Sequence, residues 1–498
     1  MNASHVRGAG SGVGSGGGTG AGTGGGSGSP AGGGVASGGA ASGGGLPRRV
    51  HGGYALGSLV TGAFGTVPGL LLLPYLTDTL GIAAGLAGLL VVLPKAWDVL
   101  VNPVAGRISD RTRTRWGARR PYLLVGGLAL AVLFAAIFAA PFGNGSAAGG
   151  YVAVAFLLTA TAFAFFQVPY VAMPAELTDS YSERTRLMTW RIAVLALAIL
   201  VSGAVAPAVV TAGGNGIAGH RLMGLFVGAL IVIGTLGVFF GTRGAPTGAV
   251  QESEPSLRAQ LAVATGNRPF RALLICFVVQ SVGIGTVLAG VAYFAGQILD
   301  NPDTGPTVLF ACFVGPALLV MPVWSRVGAR LGKLRAFVAA SLLFAVAALL
   351  LVAAPVLPAV VVYLLVAVIG CGYAGQQVFA LAMLPDCIAY DTARTGRRQA
   401  GVFTGLWTAG ETFGLALGPG VFALVLQLFG YVSSDTGVAA AQSDTARLGV
   451  LLGFTVLPAL AVGLAVLLLR GYDLTPQRLA AAGPTKPVDQ ARPAEPVA

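Results

Sequence analysis

Twelve apolar runs constrain this chain more than any motif in it. They lie near 53–76, 84–108, 121–142, 151–175, 187–212, 220–242, 270–299, 306–328, 336–355, 358–385, 400–430 and 447–470. About 20 helical residues cross the ~30 Å hydrocarbon core of a bilayer, and each run reaches that length. The balance of residue types agrees. Of 498 residues, 55% are hydrophobic and 10% charged, against about 25% charged in a soluble domain. The expected fold class is all-α membrane, with twelve transmembrane helices.

The net charge of +12 is not the footprint of a nucleic-acid-binding surface. The cations sit in short connections between apolar runs, and they alternate in side. One set of connections and helix ends holds Arg111, Arg113, Arg115, Arg119, Arg120, Arg184, Arg186, Arg243, Arg258, Arg268, Arg271, Arg326, Arg330, Lys333, Arg335, Arg394, Arg397 and Arg398. The other side holds Arg221 and Arg447. Cytoplasmic loops collect Lys and Arg, so the crowded side is expected to face the cytoplasm, with both termini there. The expected location is the cytoplasmic membrane, crossed many times. Four cysteines (Cys276, Cys312, Cys371, Cys387) lack zinc spacing and any secreted disulfide pattern. There is no phosphate-binding Gly-rich loop and no catalytic triad pattern, so an enzyme is not expected.

Residues 1–49 are a Gly/Ser/Ala low-complexity segment. Such a composition cannot bury enough surface to offset backbone entropy, so a disordered cytoplasmic tail is expected. The longest internal connection, 243–269, divides the spans into an N-terminal half (50–242) and a C-terminal half (270–471), six spans each, and leaves a polar tail at 472–498.

The halves echo each other. After span four, Met173 to Thr185 reads MPAELTDSYSERT; after span ten, Met383 to Thr395 reads MLPDCIAYDTART. In each, an acid (Glu176, Asp386) follows Met by three, and an Arg-Thr pair follows the acid by eight and nine. Basic loops follow spans two and eight: Arg107 leads into an arginine-rich loop, and Arg326 to Lys333 reads RVGARLGK. Six-helix parallel repeats with such loops are the plan of major facilitator transporters. Asp110, Arg111, Arg115, Arg119, Glu176, Arg184, Asp386 and Arg394 are the candidate cytoplasmic gate. Acids at helix ends and arginines across a loop have the chemistry of a latch, although orientation and anchoring alone also account for such charges.

Three polar residues interrupt the second span. Lys95, Asp98 and Asn102 are spaced i, i+3, i+7, which places them on one helix face. A carboxylate at mid-span costs a few kcal/mol and by default marks a pathway or relay, so Asp98 is the first candidate for coupling. Glu411 is the acid deep in the second half. It could be a second proton site, a ligand for a cationic solute, or a buried partner of Arg191 or Lys95. The remaining candidate cavity residues are Gln167, Tyr293, Gln376, Trp407 and Thr412, with Lys95 and Arg191.

Long segments here resemble the melibiose/sodium symporter family, the glycoside–pentoside–hexuronide:cation symporters. Lys95 to Gly106 (KAWDVLVNPVAG) with Ser109 to Pro121 (SDRTRTRWGARRP) is similar to that family's second helix and loop. Pro169 to Arg186, and Leu384 to Arg398 with Gly401 to Trp407, are similar to its segments after helix four and from helix ten into eleven. The resemblance implies coupling of a solute to Na⁺, H⁺ or Li⁺. The expected function is alternating-access symport of a sugar- or glycoside-like small solute with H⁺ or Na⁺; no other cofactor is expected, and the expected state is a lipid-embedded monomer. The resemblance also implies a cation site of two acids one helical turn apart on helix two. Here the first is Asp98 and the second is the amide Asn102, a departure that leaves proton coupling, a single-acid Na⁺ site, or lost coupling open, with the proton favoured. The family's helix-five arginine is matched by Arg191. Its helix-four acid is replaced by Gln167, and its helix-eleven lysine by Thr412, beside Glu411. Loss of acids that would grip hydroxyls leaves two alternatives: an exporter of a hydrophobic or cationic small molecule, or a membrane sensor with a transporter frame.

Overall fold

The computed structural model describes residues 46–142, 145–178, 181–245, 266–395, 400–434 and 440–474. Of the expected tail over 1–49, residues 1–45 lie outside them, while Arg48 and Arg49 already open the first helix; the middle of the 243–269 connection and the C-terminal residues from 475 also lie outside. The described residues form helices and short connections, with no strand among them. All twelve expected spans are present as helices long and apolar enough to cross a membrane.

Helix α1 (Arg48–Val67) continues through the π-helical turns Pro68–Leu72 and Tyr75–Thr79. Then follow α2 (Ala84–Arg111), α3 (Arg120–Ile137), α4 (Ser146–Leu177), α5 (Tyr181–Ala212) and α6 (Ile217–Gly241). The second half comprises α7 (Arg268–Gln297), α8 (Gly305–Leu331), α9 (Lys333–Leu350), α10 (Ala359–Thr395) and α11 (Ala400–Leu428). Its last span is α12 (Asp444–Phe454) and α13 (Val456–Leu468), which meet at Thr455.

Prolines lie inside α2 (Pro94, Pro103), α4 (Pro169, Pro174), α8 (Pro316, Pro322) and α10 (Pro385) without ending them. Membrane helices tolerate this where neighbouring side chains satisfy the freed backbone groups. The sequence reading ends span ten at 385, but α10 runs ten residues further. Polar partners hold that extension: Lys333 donates to Ala382 O at 3.0 Å and Asn267 Nδ2 to Cys387 O at 3.0 Å.

The helix contacts of the first half recur six helices later. α1 packs on α5, α3 on α4 and α2 on α4; α7 packs on α11, α9 on α10 and α8 on α10. Small residues allow the closest of these approaches. A Cβ on Gly414 would lie 2.6 Å from Val278 O, and one on Gly285 would lie 2.7 Å from Leu415 O. These glycines let the α7 and α11 backbones touch. The halves meet where α2 packs on α11, α5 on α8, and the Pro68–Leu72 turn on α7.

One end of the molecule is stitched across the halves by hydrogen bonds. Thr77 Oγ1 and Tyr293 OH are 2.6 Å apart. Tyr431 OH donates to Asp78 Oδ1 at 3.1 Å, and Ser434 N donates to Thr77 O at 2.8 Å. Asn215 Nδ2 donates to Asp303 Oδ1 at 2.8 Å. This end holds Arg221 and Arg447, the residues assigned to the sparsely charged side. At the arginine-rich end, ion pairs tie elements within a half. Arg119 pairs with Glu176, the two side chains 7% and 8% exposed. Lys333 pairs with Asp386 at 2.7 Å, the lysine side chain 47% exposed.

Candidate transport site

The N-terminal cluster begins with α2. Its face toward α1 and α4 carries Lys95 and Asp98, with Nζ 3.6 Å from Oδ2. The ammonium also lies 5.0 Å from the Phe64 ring centroid and 5.9 Å from that of Phe163. Aromatic faces attract a cation, so Lys95 is held by a charge and two rings. Asp98 is buried, and its Oδ1 has no partner. Asn102, one turn on, is exposed. The expected stripe of three therefore splits: Asp98 is sealed in with Lys95, and the amide is not sealed in beside it. Asn102 keeps the direction of Asp98 along α2, but that face is uncovered one turn on, so a shared direction does not bring shared enclosure.

A second group lies between α1, α4 and α5. Tyr170 OH donates to Tyr54 O at 2.8 Å and sits 3.0 Å from Ser58 Oγ. The rings of Tyr54 and Tyr170 stack at 4.8 Å. The Arg191 guanidinium lies 5.2 Å over the Tyr170 ring. Gln167, on the same helix as Tyr170, has a buried and unpartnered Oε1. Arg191 thus faces aromatic and hydroxyl groups.

The C-terminal cluster surrounds a narrow, partly open cavity. Gln280, Ser281, Tyr373, Gln376, Gln377 and Glu411 give its polar lining, and Phe277 an aromatic wall. Phe277 stacks on Trp407 at 4.1 Å. Gln280 Nε2 donates to Ser341 Oγ at 3.0 Å, which leaves its Oε1 unpartnered. Gln376 Nε2 and Trp407 Nε1 are also buried without partners. Glu411 Oε1 accepts from Gln377 Nε2 at 3.3 Å, and the same nitrogen lies 2.9 Å from Tyr373 OH. The sequence reading offered Arg191 or Lys95 as a partner for Glu411; its described partner is this amide.

Two other expectations, for Tyr293 and Thr412, are corrected by position. Tyr293 is buried against Thr77 at the stitched end, not on the cavity lining. Its helix position, near the end of α7, carries it past the central polar layer. Thr412 is exposed and does not line the cavity, because its neighbour Glu411 takes the inward direction of α11. Arg394 reaches Asp391, one turn before it, at 3.5 Å rather than Asp386. Arg111 and Arg115 are exposed, with Arg115 5.3 Å from the Trp116 ring. The side chains of Asp110 and Arg184 lie outside the described residues.

Sequence reasoning missed two partners. Lys333, quoted in RVGARLGK as a basic-loop residue, is the cation for Asp386. Asp78, a lone acid between the first two apolar runs, joins the stitched end through Tyr431. Burial raises its carboxyl to about 7, against the lowering effect of the hydrogen bonds from Tyr431 and Thr77. Its signal was available: an acid in the apolar stretch YLTDTL.

These features define a polytopic transporter with polar clusters in each half. The chain belongs to the MFS/sugar transport protein family, whose profile matches residues 53–476. That match bears out the resemblance read from the α2 loop and the α4 and α10 segments. The chain is 27% identical over 436 residues to the putative glycoside/cation symporter YagG of Escherichia coli (strain K12), covering 86% of this chain and 92% of that one. It is 24% identical over 407 residues to the isoprimeverose transporter of Lactiplantibacillus pentosus, covering 80% and 83%. Among solved structures, a bacterial homolog of the human lysosomal transporter Spinster, inward-facing and unoccupied, matches with a TM-score of 0.62. The identity is 13%, and the match covers 87% of this chain and 95% of that one. That last likeness concerns the fold alone. The family and its relatives are transporters, not enzymes.

Proposed function

We propose that the protein is a cation-coupled symporter that moves a sugar- or glycoside-type solute across the cytoplasmic membrane by alternating access, with its arginine-rich end and both termini in the cytoplasm. The relatives named for glycosides and for isoprimeverose support the solute class. Cross-half bonds at one end and within-half ion pairs at the other fit a state closed on the outside. In this reading Arg119–Glu176 and Lys333–Asp386 brace the cytoplasmic ends of the halves as they rock.

The observation that carries the coupling is the buried Asp98 with one oxygen against Lys95 and the other unpartnered. Lys95 already neutralises the carboxylate. A coupling cation must therefore displace the ammonium or reach the free oxygen. A proton does this with one atom, whereas Na⁺ needs several oxygens around it. With Asn102 exposed, Asp98 brings a single free oxygen to the place. The proton is accordingly the favoured coupling ion. Protonation would release Lys95 from its ion pair and change the charge presented to the solute, which links proton and solute binding in one cycle.

The test is uptake by right-side-out and inverted vesicles under imposed H⁺ and Na⁺ gradients, for the native protein and Asp98→Asn. Native uptake should follow the proton gradient, and the variant should lose that dependence. Gradient-driven uptake by the variant at the native rate would remove Asp98 from the coupling role.

A further inference from the structure

The α7–α10–α11 cavity holds an acid without a cation. None of the residues lining it is basic, and Glu411 takes a single long bond from an amide nitrogen that also lies within reach of Tyr373. Glu411 is half-buried, and an isolated carboxylate taken partly out of water is disfavoured unless it takes a proton or a cation. Asp98 meets that requirement with Lys95, inside its own helix. Glu411 does not meet it from the residues around the cavity.

The rest of the lining indicates what would complete the balance. Gln280 and Gln376 are each 2% exposed. Gln280 offers an unpartnered acceptor and Gln376 an unpartnered donor. Buried polar atoms are normally paired, so these orphans mark places where a ligand's hydroxyls would sit. Phe277, backed by Trp407, gives an apolar wall suited to the carbon face of a ring or to a cation.

We propose that this cavity selects a hydroxylated solute bearing one protonated amine, an amino sugar or amino glycoside, whose ammonium lies against Glu411 while its hydroxyls engage Gln280 and Gln376. The proposal rests on the reading of the protein as a sugar-type transporter and names the solute class within it. A neutral sugar would leave the Glu411 charge uncompensated. A purely apolar cation would leave the two orphan amide groups unpaired.

The experiment is a ligand-induced thermal shift on the purified full-length protein. The probes are glucosamine, galactosamine and mannosamine, their N-acetyl forms, the corresponding neutral hexoses, and tetraphenylphosphonium. A ligand that binds the native state raises its melting temperature. At least one amino sugar should bind ten-fold or more tightly than its N-acetyl form, and Glu411→Gln should erase that preference. The comparison of amine with N-acetyl form on the native protein decides the point even if the variant does not fold. Neutral hexoses binding as tightly as amino sugars would overturn the amine selection and leave sugar transport standing. A shift from tetraphenylphosphonium alone would overturn the hydroxylated part and the sugar reading with it. No shift from any probe would contradict both. An amine preference that survives in Glu411→Gln would overturn the role given to Glu411.

Discussion

The two halves repeat the same helix contacts but treat their acids differently. In the first half each central acid is locked to a well-buried or ring-held cation: Asp98 to Lys95, and Glu176 to Arg119. In the second, Asp386 meets a lysine that is half exposed, and Glu411 meets an amide. The repeat fixes where an acid can stand, not what completes it. An acid balanced within its own half can switch only when something displaces its resident cation. An acid without such a partner is ready to take a charge from outside. On the proposed function, this difference divides the work: Asp98 suits coupling, and Glu411 suits recognition.

Four substitutions or conditions would break or sharpen this contrast. The largest effect is expected at Asp98. Asp98→Asn strands the Lys95 ammonium and should cost about 3 kcal/mol of stability, the order found when one member of a buried ion pair is removed. The double variant Asp98→Asn/Lys95→Met should regain much of that loss in denaturation of the purified protein. If the double variant is no more stable than the single one, the two residues are not an internally balanced pair.

Next come the paired latches. Arg119→Ala leaves Glu176 buried and should cost about 3 kcal/mol, whereas Lys333→Ala should cost under about 1 kcal/mol, because exposed pairs contribute little. Chemical denaturation of both variants compares them directly. Equal costs would show that the halves are braced alike.

Asp78 lies on the seam between the halves and gives the pH dependence. Its carboxyl is raised to about 7 with the stitched end closed, by burial beside Tyr431 and Tyr293. In water an aspartate titrates near about 4. The closed form therefore holds the proton more tightly over the window between these values. Its advantage is fully present below about pH 4, falls as the pH rises toward about 7, and stays at the lower level above that. Spin-label distances across the stitched end should show the closed population shrinking by roughly ten-fold or more over that rise. Asp78→Asn should flatten the response. A closed population that grows with pH would contradict the sign.

The smallest effect on stability is expected at Glu411. Glu411→Gln removes an acid without stranding a cation, so the melting temperature should hold or rise slightly. A loss comparable to that of Asp98→Asn would show that Glu411 has a buried cationic partner and erase the contrast between the halves.

Much of this arrangement was legible before any coordinates. Lipid forces the backbone into helices, so twelve apolar runs translate directly into twelve spans. The spacing of Glu176 and Asp386 after their methionines marked the repeated acid, and the loops after spans two and eight held its cations. Which loop cation reaches which acid was not legible. Lys333 and Arg394 both lie within sequence reach of Asp386, and the choice depends on how α8 and α9 abut α10. The same limit applies at Asn102 and Thr412. Spacing gives a helix direction, but whether that direction meets a neighbouring helix depends on tilt and on prolines such as Pro103. Asp78 and Tyr431 were missed for a related reason. They are far apart in the chain, and their contact exists only once the halves close on one another.

The account stands or falls on the division between the two acids, and uptake by vesicles carrying Asp98→Asn or Glu411→Gln measures it most directly. With an imposed proton gradient, Asp98→Asn should still exchange solute but lose accumulation, while Glu411→Gln should still accumulate solute and lose its preference for an amine over its N-acetyl form. Retained accumulation in Asp98→Asn together with lost accumulation in Glu411→Gln would place coupling in the second half and contradict the account.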